Sequence, residues 1–64
     1  MDEYYQRQIQ NERERIASFK HDISLVIDLQ HLDWARQDVR DFNAEIRACQ
    51  AKIEEWERLA KESE

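Results

Sequence analysis

The feature that most constrains this chain is a stripe of apolar residues in its second half. Leu32, Ala35, Val39, Phe42, Ile46, Cys49, Ile53, Trp56 and Ala60 follow one another at steps of three and four throughout. That alternation keeps one side of an α-helix apolar over four heptads, the pattern of a helix packed in a left-handed bundle. A strand cannot use it, because strand side chains alternate with period two. The first half carries a weaker stripe: Tyr5, Ile9, Glu12, Ile16, Phe19, Ile23 and Val26. Glu12 stands there in a core-type position, so thin packing or a place near a bundle end is expected.

The two stripes are out of phase. Ile23 and Leu32 are nine residues apart, and at about 100° per residue that amounts to a half-turn offset. One straight helix would put its stripes on opposite sides, where neither could pack on the other. A reversal near residues 29–33 folds the second stripe back onto the first. Gln30 and His31 can take non-helical positions, and Asp33 can cap the new helix by accepting a backbone N–H. The expected fold is all-α: an αα-hairpin in one domain, residues 1–64, with helix over about 3–29, a turn over about 29–33 and helix over about 34–62. A continuous bent helix is the alternative. Glu3–Arg7, Glu54–Arg58 and Glu57–Lys61 are spaced i, i+4 with the acid first, which supports local helicity.

Composition agrees. The chain has neither Gly nor Pro and is 39% charged, so the turn residues that an all-β fold needs are missing. The regular placement of Ile, Phe, Val and Trp opposes disorder. Sixty-four residues make a marginal core, and chains this small usually need a staple or a partner. The single cysteine, Cys49, cannot form an internal disulfide. Oligomerisation is the expected way to complete the core.

The stretch "ISLVIDLQHLDW", Ile23 to Trp34, shows where. Ile23 and Val26 lie on the first seam, while Leu25, Ile27 and Leu29 point elsewhere. A helix apolar all round is covered all round, and a two-helix hairpin has no second layer of its own. Another chain is expected to cover it, with paired hairpins forming a four-helix bundle as a homodimer, parallel or antiparallel. The expected self-association or partner interface comprises Ile23, Leu25, Val26, Ile27, Leu29, Leu32, Phe42, Ile46, Cys49, Ile53 and Trp56.

Catalysis finds little support. Asp28-x-x-His31 is the one metal-like spacing, but it falls at the predicted turn without a buried carboxylate set, and reads as a solvated Asp and a turn His. His21 falls at an outward position. Cys49, on the seam, reads as a small hydrophobe, with an intermolecular disulfide as the lesser reading. No catalytic, metal or cofactor site is expected. Arg36, Arg40 and Arg47 line one side of the second helix near Trp34 and could grip phosphates. Interleaved Asp33, Asp38, Asp41 and Glu45 neutralise that field, so RNA or DNA binding is the alternative rather than the favoured reading. The C-terminal run "EEWERLAKESE" reads as an ordinary acidic helix surface. With a net charge of −5, the chain has no long-range attraction to phosphate or anionic lipid. No stretch approaches the roughly 18 apolar residues of a membrane span, and the acidic, polar start does not resemble a signal peptide. A cytoplasmic protein is expected.

Hairpin plan, length, acidic balance and seam together resemble the Rop family of plasmid RNA-binding hairpins, which dimerise into four-helix bundles. That similarity is architectural and carries over no RNA-contact residue. The small, Gly-free, helix-only chain also resembles accessory early-region proteins of lambda-like bacteriophages. That resemblance implies a non-enzymatic regulator of host or phage development, binding a host or phage protein.

Overall fold

A computed structural model describes residues 3–63. Two α-helices, α1 (Glu3–Val26) and α2 (Asp33–Glu62), run antiparallel and pack along their length. The all-α hairpin expected from the phase break is the fold, and the continuous bent helix is not.

Helix α1 begins with an acidic residue, Glu3, in its first turn, which complements the positive end of the helix dipole. It ends where β-branched residues crowd together. Val26 leaves helical geometry at φ −118° and ψ −1°, and Ile27–Leu29 tighten into a single 3₁₀ turn. The α-helix therefore stops three residues before the expected boundary, because stiff β-branched side chains weaken helix just where the chain must turn.

Gln30 and His31 form the turn, and Leu32 is extended at φ −97° and ψ 134°. No described residue has positive φ, so the reversal proceeds without the left-handed cap that Gly usually supplies. Hydrogen bonds hold it instead. The Leu32 N–H donates to the Leu29 carbonyl at 2.8 Å, and the Arg36 N–H donates to the Leu32 carbonyl at 3.2 Å. Gln30 Nε2 donates to the Ile27 carbonyl at 3.1 Å.

The expected cap is corrected by one residue. Leu32 is the N-cap of α2 and makes no side-chain cap bond, while Asp33 is already the first helical residue. The bond from Leu32 to Leu29 closes the turn one position early. Asp33 then serves α2 as a first-turn acid and as an ion-pair partner of Arg36. At the other end Ser63 closes α2: its N–H donates to the Leu59 carbonyl at 3.1 Å and its hydroxyl to the Ala60 carbonyl at 2.9 Å.

The two stripes meet as the seam. Ile9, Glu12, Ala35, Ile46, Cys49 and Ala60 are buried, and Tyr5, Ile16, Phe19, Ile23, Val26, Val39, Phe42, Ile53 and Trp56 are half-buried. Aromatic pairs fix the register: Tyr5 meets Trp56 with ring centroids 5.8 Å apart, and Phe19 meets Phe42 at 6.1 Å. Ion pairs among the described residues use the i, i+3 spacing, Glu12 with Arg15 and Asp33 with Arg36. The expected i, i+4 partners Glu3–Arg7, Glu54–Arg58 and Glu57–Lys61 are not joined. These exposed side chains gain too little from pairing to offset their lost rotamer freedom.

The molecule is a thin slab, 49 × 14 × 10 Å, with a radius of gyration of 14.8 Å. A globular chain of this length would have a radius of about 11 Å. Two helices alone cannot enclose their seam, and among the described residues no large side chain is fully buried.

Candidate interaction surface

The two broad sides of the slab differ. Residues that stand one place after a seam residue, Gln6, Arg13, Lys20, Asn43, Gln50 and Glu57, are all exposed. On one side of the seam a groove of about 530 Å³ is lined by Gln6, Ile9, Gln10, Arg13, Glu57 and Lys61. Its five polar residues each follow a seam residue by one, so this flank is common to both helices. The opposite flank is better covered. Gln8, Asp22, Asp38 and Leu59, each one place before a seam residue, are half-buried.

At the turn, the tip of the hairpin, large apolar side chains remain in solvent. Leu25 is 65% exposed, Trp34 54%, Ile27 43% and Leu32 37%. Leu25 and Trp34 each stand two places past a seam residue, Ile23 and Leu32, which puts both on the flank opposite the groove. Large exposed apolar side chains make the tip the candidate contact surface, and Trp is among the residues that dominate protein interfaces. Trp34 had signalled itself in sequence only as a neighbour of arginines. Counting outward from the turn would have set it level with Leu25.

The remaining interface candidates divide by depth. Ile46 and Cys49 are buried inside the hairpin. Ile23, Val26, Leu29, Phe42, Ile53 and Trp56 are half-buried, each showing one edge to solvent. At the open end Tyr4 packs edge-on against Trp56, with centroids 5.8 Å apart.

The arginine stripe is uneven. Arg36 Nη1 donates to the Gln30 carbonyl at 3.2 Å and Nη2 bonds to Asp33, which commits this guanidinium to the turn. Arg40 and Arg47 are exposed.

Glu12 lies mid-seam rather than near an end, and its neighbour across the seam is Cys49. Arg15 reaches Glu12 Oε1 at 3.5 Å, while Oε2 is buried without a hydrogen-bond partner. A thiol is small enough to leave room for the carboxylate, which is why a charged residue fits a seam position. Burial pushes the Cys49 thiol above its ordinary range, and contact with the Glu12 carboxylate adds to the shift. A thiol held neutral and sealed in the seam is a poor nucleophile. Asp28, His31 and His21 are exposed. Among the described residues no group of three or more His, Cys, Asp and Glu could hold a metal ion, and no helix is long and apolar enough to cross a membrane.

No known protein family, curated protein or solved structure matches this chain.

Proposed function

We propose that this chain is a non-enzymatic helical-hairpin interaction module. Two copies pair into a four-helix bundle, and the bundle presents its apolar tips to a protein partner. The observation that carries this reading is the exposure of Leu25, Ile27, Leu32 and Trp34, large apolar side chains left in solvent around the turn of a chain with little core. Burying apolar area of this kind contributes roughly 25 cal/mol per Å², an amount a 64-residue hairpin can use. The half-buried seam supports pairing, since a second hairpin would supply the layer that two helices lack. The seam's thiol and carboxylate, Cys49 and Glu12, are closed off from any substrate, which supports a binding role over a catalytic one. The resemblance to phage early-region proteins supports a regulator that acts on a host or phage protein in the cytoplasm.

Affinity capture with the parent chain and with Leu25→Glu and Trp34→Glu variants tests the reading. The variants should keep their helix content by circular dichroism, since both positions are exposed. Proteins held by the parent and lost by both variants support the assignment. An identical set on all three contradicts it.

A further inference from the structure

The groove flank of α2 has a property that the apolar stripes conceal. Stepping back by sevens from the groove residues Lys61 and Glu57 gives the rest of that flank. One row is Lys61, Glu54, Arg47, Arg40 and Asp33, and the other is Glu57, Gln50, Asn43 and Arg36. All are exposed. Read inward from both ends, the rows match by opposite charge around Arg47. Asp33 corresponds to Lys61, Arg36 to Glu57 and Arg40 to Glu54, and the amides Asn43 and Gln50 correspond to each other.

A row that is complementary to its own reverse fits a reversed copy of itself. We propose that two copies of this hairpin pair antiparallel through the groove flank, α2 against α2, with the two-fold axis at Arg47. The inference rests on the self-association reading and supplies its surface and orientation. In a two-fold contact each pair occurs twice, so Arg40 of each copy meets Glu54 of the other. Near each tip Asp33 and Arg36, already paired within the chain, meet Lys61 and Glu57 of the second copy in a quartet of alternating sign.

The rival arrangements fit less well. With both tips at one end, a two-fold contact on this flank lays α2 over the α1 of the second copy. Given the register fixed by Phe19–Phe42 and Tyr5–Trp56, Lys20 would then meet Asn43, Arg13 would meet Gln50 and Gln6 would meet Glu57. None of these is a pair of opposite charges. Pairing α2 with α2 on the opposite flank brings Asp41 near Glu55, like on like, beside a single opposite-charge pair, Glu45 with Lys52. That flank also has its seam better covered, by Asp38 and Leu59. Exposed ion pairs add little strength but decide orientation, and the open edge of the seam beneath them supplies apolar area. The like-charge contacts of this arrangement are Arg47, which faces its own copy on the axis, and Arg13, which faces Lys20 of the second copy where α1 lies over α1.

Cross-linking at the axis gives the direct test. In a chain carrying Cys49→Ser, the Arg47→Cys variant should oxidise to a covalent dimer, while Leu25→Cys in the same background should stay single. In the native background Arg40→Glu should weaken association at least tenfold, and Arg40→Glu with Glu54→Arg should restore it. A parent dimer seen by sedimentation, with no cross-link at Arg47→Cys or with full association of Arg40→Glu, overturns this inference and leaves the self-association reading standing. A parent chain that is monomeric at every concentration overturns both.

Discussion

Glu12 and Cys49 meet across the middle of the seam, both buried, in a row where the other facing pairs are aliphatic or aromatic. The carboxylate has one oxygen near Arg15 and one without a hydrogen-bond partner. A buried charge so poorly supplied costs the fold stability, and an apolar side chain of similar volume should do better. Glu12→Leu is expected to stabilise the hairpin by about 1–4 kcal/mol, as replacement of buried ionic groups often does. In a chain this small that is a rise in melting temperature of about 4–30 °C. Thermal unfolding followed by circular dichroism checks it, and a lower melting temperature would show the carboxylate to be a net stabiliser.

Cys49 makes the fold sensitive to alkali. Burial, then contact with Glu12, holds its thiol pKa above the ordinary value, which the unfolded chain retains. The folded state therefore keeps its proton to higher pH than the unfolded state does. The associated stability is fully present below the unfolded pKa and is lost as pH rises through the folded one. The melting temperature should fall through the alkaline thiol range, and Cys49→Ala should flatten that part of the profile. Parallel profiles for parent and variant would contradict the assignment.

The turn was legible in part. Its position followed from the half-turn offset between Ile23 and Leu32, and the structure reverses there. Its chemistry was not legible, because Asp33 is the obvious cap by residue type, yet a single backbone bond from Leu32 to Leu29 moves the cap by one residue. Residue preference cannot resolve a shift that small. Glu12 misled for a different reason. Its neighbour across the seam depends on how the two stripes align, and alignment depends on how many residues the turn consumes. With three residues in the 3₁₀ turn and three more before α2, Glu12 falls opposite Cys49. The exposed tip was visible as an all-round apolar patch, although Trp34 joins it only once the reversal is built.

Arg36 clasps that turn by bonding to the Gln30 carbonyl and to Asp33. Arg36→Ala should cost about 0.5–1.5 kcal/mol, the usual net worth of a hydrogen bond. The loss should be local, so the Leu32 amide should exchange with solvent faster while amides in the middle of α1 keep their protection. Unchanged exchange at Leu32 would mean that the backbone bonds hold the reversal without the clasp.

Ile46 is buried on the α2 side of the seam. Ile46→Ala removes apolar contact at a point with few neighbours to relax into the gap, and should cost roughly 2–5 kcal/mol. For a core this thin, cooperative unfolding should be lost or moved far down in temperature. A variant melting within a degree or two of the parent would show that the stripe is not the core.

The central claim is that a hairpin with a half-covered seam and an apolar tip works by association. Sedimentation equilibrium from micromolar to millimolar chain tests it most directly. The account predicts a mass that climbs from 7.9 kDa toward twice that value, with a melting temperature that rises alongside, since pairing stabilises the folded state by mass action. A folded species that stays at the mass of one chain across the whole range would contradict it.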